Sequence, residues 1–239
     1  MSTSRRRLFQ LATLAGGSLA VGVGKEREAV DPDAFVAVFA GRQTVRRYRS
    51  DPVPDEHVRK ILDAARRGPT CMNQQPWKFL VVRDPAKIEA MKKRTVEMVT
   101  KRFDAMAGEP KDANDPKRAA AVRFTENYFT APVYVAVLVD SEAPCANYAL
   151  RHDGPIAAGY LMLAARAFGY GTAYLTDGIP DQVTREVLAI PARYQRICIT
   201  PIGVPDGWPK QQQKRKLEEM VAYETLEGHP PLTRLPYNP

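Results

Sequence analysis

Cysteine, histidine and tryptophan are scarce in this 239-residue chain, which holds three, three and two of them. Cys71, Cys145 and Cys198 share no CxxC spacing and form no metal-ligand pattern with the histidines, so no metal site is expected. An odd cysteine count argues against a disulfide framework, although it leaves room for one bridge. Cys198 lies in the apolar run Ile197-Cys198-Ile199 and reads as a buried core thiol. No Ser/His/Asp set stands in a recognisable motif. His57 falls on a charged helix and His152 beside Asp153, where both read as surface or capping residues. Nucleic-acid motifs are absent too, and lysine and arginine are scattered rather than striped. The formal charge of +8 and pI near 9.4 therefore read as a solvated basic surface, not as a nucleic-acid partner. No repeat or low-complexity tract interrupts the chain.

The N-terminus carries the strongest local signal. Ser4-Arg5-Arg6-Arg7-Leu8-Phe9-Gln10 precedes a short apolar stretch of small residues over 11–23. A basic segment, a short apolar segment and a small-residue exit near Ser18-Leu19-Ala20 make a secretory signal. The paired arginines before Leu-Phe resemble the twin-arginine kind. The apolar stretch falls short of the roughly 20 residues that span a bilayer. Residues 1–24 are thus expected to be a twin-arginine signal, 25–30 a linker and 31–239 one mature domain. The expected location is the periplasm, with a membrane anchor as the alternative if the signal stays uncleaved.

The whole chain is 44% hydrophobic and 26% charged, a composition that suits one compact domain, and the element order below reads as α+β. Asp31-Pro32 predicts a helix start, with Phe35, Val38 and Phe39 on one face and Gly41 closing it. A second helix begins at Pro54-Asp55-Glu56 and turns Val58, Ile61, Leu62 and Ala65 to one side. Strands are predicted over 79–82, 132–139 and 196–204, and helices over 87–106 and 156–168. A flexible loop is expected over 108–116, and an extended tail over 224–239 that could wrap a partner.

Two segments point to a ligand. In an extended Gly41-Arg42-Gln43-Thr44-Val45-Arg46 stretch, Arg42, Thr44 and Arg46 project to one side. Two guanidinium forks and a hydroxyl suit a phosphate monoester. The second segment is Gly68-Pro69-Thr70-Cys71-Met72-Asn73-Gln74-Gln75-Pro76-Trp77. If it is extended, Asn73 and Gln75 share a side, and their carboxamides match a uracil-like ring edge. A polar turn between helix and strand is the equal alternative.

Taken together, Arg-x-Thr-x-Arg and the later Pro-Thr-x-x-Asn-x-Gln-Pro-Trp resemble the nitroreductase family over most of 31–225. The resemblance implies a central, mostly antiparallel sheet flanked by helices, an intertwined homodimer, and one FMN per active site at the dimer interface. It places Arg42, Gln43, Thr44 and Arg46 on the phosphate side of FMN. It places Pro69, Thr70, Cys71, Asn73 and Gln75 on a loop reaching the flavin from the partner subunit. Tyr174, Leu175, Thr176 and Asp177 match the turn whose backbone N–H faces flavin N5, where the family often has glycine. The stretch before Leu217-Glu218-Glu219 matches a late Lys-x-Arg phosphate contact, with Lys214 at the arginine position, Gln212 at the lysine position and Arg215 as substitute. A solvated basic helix start reads nearly as well there.

The activity implied is two-electron, ping-pong reduction of nitroaromatics, quinones or similar flat acceptors, with flavin N5 as the reactive centre and no catalytic side chain evident. Alternatives are a specialised branch of the fold (reductive dehalogenation or dehydrogenation) and a non-catalytic periplasmic electron carrier. The family's usual donor, NAD(P)H, fits a cytoplasmic enzyme but is not expected outside the cytoplasm. An exported enzyme would instead need a membrane or periplasmic electron donor.

Overall fold

A computed structural model describes residues 30–106 and 115–226. The expected signal and most of the expected linker lie outside the described residues, as do 108–114 of the expected loop and 227–239 of the expected tail.

Local chemistry sets the first elements. Helix α1 (Pro32–Gly41) starts where the Asp31 carboxylate accepts the Asp33 N–H at 3.0 Å, with Pro32 preset for the first turn. Helix α2 (Asp55–Ala65) has two acids in its first turn and buries Val58, Ile61 and Ala65. Strand β1 (Trp77–Val82) leads to α3 (Pro85–Met106), then α4 (Pro116–Asn127). Strand β2 (Val133–Asp140) is followed by a short α5 (Ala146–Tyr148) and a π-turn over Ala149–Asp153. Helix α6 (Gly154–Ala167), strand β3 (Gly171–Thr172), α7 (Asp181–Leu188) and β4 (Tyr194–Gly203) complete the core.

The four strands pair in the order β1-β2-β4-β3, every pair antiparallel. β2 is central and buried on both faces, so its sequence is a continuous apolar run rather than an alternation. Its period-2 geometry still divides two cores. Tyr134, Ala136 and Leu138 join Met91 of α3, Tyr128 and Val183 of α7. Val133, Val135 and Val137 join Ile61 of α2 and Leu161 of α6 on the other side. Each fully buried aliphatic side chain contributes roughly 1.5–3 kcal/mol. The product is an antiparallel sheet flanked by helices, as expected.

The expected apolar face of α1 forms, with the Phe35 and Phe39 ring centres 5.2 Å apart, but it does not enter the core: the two rings are 56% and 48% exposed, and the helix buries no residue. Two local expectations fail. Pro116 does not belong to a loop but opens α4, where Asp115 accepts the Lys117 N–H at 2.7 Å. Cys71, Met72 and Asn73 are not extended but form a 3-10 turn. Met72, Asn73 and Gln75 have φ of 50°, 56° and 49°, the left-handed region that L-residues enter at a cost. The carboxamides of Asn73 and Gln75 meet nonetheless, Nε2 of Gln75 donating to Oδ1 of Asn73 at 3.2 Å. Compensating left-handed turns, not strand alternation, bring them together.

One irregularity in β4 directs a charge. Val137 pairs with Cys198 and Leu138 with Arg196, leaving Ile197 as an extra residue. Regular alternation would turn Arg196 to the same face as Cys198. The bulge sets it opposite Leu138 instead, facing the α7 layer. Gly154 accommodates the displaced Ile197: a Cβ there would lie 2.5 Å from Ile197 Cγ1.

Candidate active site

The Arg42 to Tyr48 segment runs along the open edge of the sheet. Thr44 bridges Thr172 of β3 in parallel, and the Val45 N–H donates to the Thr172 carbonyl at 2.9 Å. Gly171 permits this approach, because a Cβ on it would come within 2.6 Å of Val45 Cγ2. Buried Val45 and Tyr48 hold the segment down, with the Tyr48 hydroxyl donating to the Val45 carbonyl at 2.6 Å. Arg42 is half-buried, whereas Arg46 is exposed and lies 5.7 Å from the Phe124 ring centre.

Four arginines crowd this stretch, and their partners differ. Arg47 pairs with Asp206 at 2.8 Å and Arg49 with Asp51 at 2.7 Å. Arg42 and Arg46 have no carboxylate partner among the described residues. The two arginines that alternation places beside Thr44 are the two whose charge is unneutralised. Arg166, at the end of α6, adds a third. Its guanidinium packs against Gly41 and over Trp208, 4.1 Å from the ring centre, and its Nε is buried without an acceptor. Sequence reasoning missed Arg166, since a basic residue in a last helical turn is an ordinary dipole partner.

The Tyr174 to Asp177 turn follows β3 along the same edge. Leu175 exchanges both backbone hydrogen bonds with Ile199, at 3.2 and 2.9 Å. Thr176 and Asp177 are exposed, and neither backbone N–H has an acceptor among the described residues. The turn is held from beneath by Arg196, whose side chain is 3% exposed. It donates to the Thr176 carbonyl at 2.6 Å and the Ile179 carbonyl at 2.8 Å, and pairs with Asp181 at 3.1 Å. Burial lowers its pKa, and the Asp181 carboxylate opposes that shift. Arg196 was also missed, although an arginine inside an apolar strand was the available signal. Burial pushes the Tyr174 hydroxyl up to about 12, so it remains a neutral phenol.

Replacing Arg196 with methionine should destabilise the protein by about 3 kcal/mol, because two carbonyls and Asp181 lose their donor. Urea unfolding measures this. A change below about 1 kcal/mol would mean that the turn does not depend on the clamp.

The loop after α2 lies elsewhere. Gly68 packs on Ile156 and Ala157 at the start of α6. The Cys71 N–H donates at 3.1 Å to Asp153, which is 2% exposed. Asp153 makes no side-chain cap bond at α6, and its carboxylate anchors the loop instead. Thr70 accepts the Gln75 N–H at 3.1 Å, closing the turn, while Pro69 stays exposed. Gly41, by contrast, meets Arg166 in the last turn of α6. A helix of 14 residues is about 21 Å long. One protomer therefore holds the two predicted halves of the site at opposite ends of α6.

In the late segment the neutral Gln211 donates to the Ala40 carbonyl at 3.4 Å, which brings that segment toward the end of α1. Lys214 is exposed, and Arg215 is paired with Glu219 at 3.1 Å, a bond that a phosphate would have to displace. His57, expected at the surface, is half-buried, with Nδ1 2.7 Å from the Tyr170 hydroxyl. His152 packs against Tyr148 at a tilt of 44°, ring centres 4.4 Å apart. No group of acids, histidines and cysteines among the described residues could hold a metal ion.

Comparison with known proteins decides the family. The model of the nitroreductase family matches residues 39–204. The chain belongs to the nitroreductase family. It is 32% identical over 188 residues to an iodotyrosine deiodinase of Thermotoga neapolitana, covering 77% of this chain and 95% of that one. It is 28% identical over 196 residues to an NADH dehydrogenase of Thermus thermophilus, covering 76% and 92%. Among solved structures, an iodotyrosine deiodinase bound to FMN and 3-iodo-L-tyrosine superposes with a TM-score of 0.64 at 23% identity. That match covers 80% of this chain and 99% of the other. As a nitroreductase-family member the chain is an FMN-dependent oxidoreductase.

Proposed function

We propose that this nitroreductase-family protein reduces flat acceptors, nitroaromatics and quinones in the first place, by ping-pong two-electron transfer in a homodimer that shares its two active sites. The observation that carries the reading is the unneutralised Arg42 and Arg46 flanking Thr44 on the sheet edge that continues to the open N–H groups of Thr176 and Asp177. That donor set fits FMN: dianionic phosphate at one end, an electron-rich ring edge at the other. Bound FMN supplies hydride acceptance and donation at its N5.

The chain's own residues do the rest. Arg42, Arg46 and Thr44 would hold the FMN phosphate, with Gln43 beside them. Arg196 holds the 174–177 turn, whose Thr176 and Asp177 N–H groups have no acceptor among the described residues and would favour negative charge on the reduced ring. The neutral Tyr174 hydroxyl keeps its proton and can donate it as a hydrogen bond. Asn73 and Gln75, locked together by their own hydrogen bond, offer a paired carboxamide edge to the ring's polar side. Since these carboxamides and the arginines sit at opposite ends of α6, a complete site takes one end from each of two protomers. Exposed Phe35, Val36 and Phe39 on α1, with Ile156 and Tyr160 on α6, supply an apolar surface for that pairing.

Export is proposed on Arg5-Arg6-Arg7-Leu8-Phe9 alone, and it brings with it a membrane or periplasmic electron carrier as donor in place of free NAD(P)H. The purified protein should be yellow, with flavin absorbance. Mixed anaerobically with NADH or NADPH, its flavin should bleach slowly and without saturation. Rapid, saturable bleaching by either nucleotide would overturn the carrier.

A second reading, reductive dehalogenation, is favoured by the 32% identity to a deiodinase. Turnover of halotyrosines in preference to a quinone panel would select it.

A further inference from the structure

We propose that Cys71 and Cys145 are a redox site, a thiol pair that closes to a reversible disulfide and fastens the 68–76 loop to the turn before α6. The two residues are 74 positions apart, yet their sulfurs face each other at 2.7 Å, with Cys71 donating to Cys145. A bonded pair needs about 2.05 Å, so closure asks for a displacement of less than an ångström.

The surrounding backbone already holds the two sulfurs in place. Cys71 is anchored through its N–H to buried Asp153. Cys145 adopts φ 50° and accepts the Ala149 N–H at 2.9 Å, which ties it to the same π-turn that ends in Asp153. Both elements spend strained residues on this juxtaposition: Met72 and Asn73 on one side, Cys145 itself on the other. The third cysteine does not compete. Cys198 is fully buried, and burial pushes its thiol up to about 12.

The roles of the two sulfurs follow from exposure. Cys145 is exposed, whereas Cys71 is half-covered. The hydrogen bond to Cys145, and then burial, hold the Cys71 thiol above its ordinary range. Cys145 therefore meets an external disulfide first. Its thiolate, having lost a proton, attacks one sulfur of that disulfide, breaks the S–S bond and releases one thiol that takes up a proton. Cys71 then gives up its proton, attacks Cys145 in the mixed disulfide and displaces the second thiol. Two protein thiols are oxidised and one external disulfide is reduced to two thiols. In the oxidising compartment that Arg5-Arg6 points to, the pair would rest closed.

Cys71 lies on the loop that carries Asn73 and Gln75, but the bridge is read by mass and can fail or form whether or not flavin binds. The full chain is treated with oxidised glutathione, alkylated under denaturing conditions without reductant, and digested. One cross-linked peptide pair joining Cys71 to Cys145 is expected, with the intact chain lighter by two hydrogen masses and only Cys198 alkylated. Cys198→Ser should keep the bridge; Cys145→Ser should abolish it and leave Cys71 alkylated. Alkylation of all three cysteines, or a glutathione adduct on Cys145 that never resolves, would overturn the proposal. Hydrogen exchange of the 68–76 amides should slow on oxidation, at least severalfold, and revert with dithiothreitol. Equal exchange in both forms would remove the fastening role even if the bridge forms.

Discussion

Changing Arg42 and Arg46 together to alanine should weaken FMN binding by about a thousandfold. Each charge-assisted hydrogen bond to phosphate is worth roughly 1.5–3 kcal/mol, and each factor of ten in Kd is about 1.4 kcal/mol. Either single change should cost roughly ten- to a hundredfold. Titration of the apoprotein with FMN, followed by flavin fluorescence, gives the numbers. The informative controls are Arg47→Ala and Arg49→Ala, one and three residues further on. Both arginines are held by carboxylates at the surface, and exposed pairs contribute about 1 kcal/mol or less. Their loss should leave FMN affinity within a few-fold of the parent. If Arg47→Ala weakened binding as much as Arg46→Ala, the effect would be one of general charge and not of a site.

The second large effect concerns α1. A helix with no buried residue, carrying Phe35 and Phe39 edge-to-face at 5.2 Å and mostly exposed, is stable only if something covers it. Phe35→Asp combined with Phe39→Asp should convert the proposed dimer to a monomer, read by light scattering during size exclusion. Flavin should be lost in the same step, since the proposed site draws on both chains. The monomer should keep its far-ultraviolet circular dichroism, because neither ring enters the two cores around β2. A double variant that stays dimeric and yellow would place the interface on another face.

What the sequence made legible follows the strength of the local signal. Asp31-Pro32 and Pro54-Asp55-Glu56 announced α1 and α2 because capping and dipole chemistry act within a turn. The apolar run at 133–139 announced a central strand because burial on both faces admits no polar residue. Helix α4 was not seen. Its sequence has little apolar periodicity, and its helicity comes from three consecutive alanines and the Asp115 cap, beside a segment read as loop. Helix α7 is short, and eight residues give periodicity little room. The arginines that bind no carboxylate were singled out by i, i+2 alternation beside Thr44. Asp51, two residues on, marks Arg49 as a paired arginine, but nothing local marks Arg47, whose acid lies 159 residues away. Asn73 and Gln75 were paired for a reason that does not hold, since left-handed turns do the work assigned to alternation. The meeting of Cys71 and Cys145 is a product of tertiary structure alone, and no spacing rule reaches across it.

Helix α6 keeps the carboxamide loop and the arginine edge a fixed distance apart in each chain, and that has a genetic consequence. An allele damaged only at the arginine end and an allele damaged only at the loop end are each without function when alone. Expressed together, they would meet in a mixed dimer of the proposed shared-site kind. One of its two sites then receives both damaged ends, and the other receives both sound ones. Two recessive lesions in the same gene would thus complement each other, as lesions in separate genes ordinarily do.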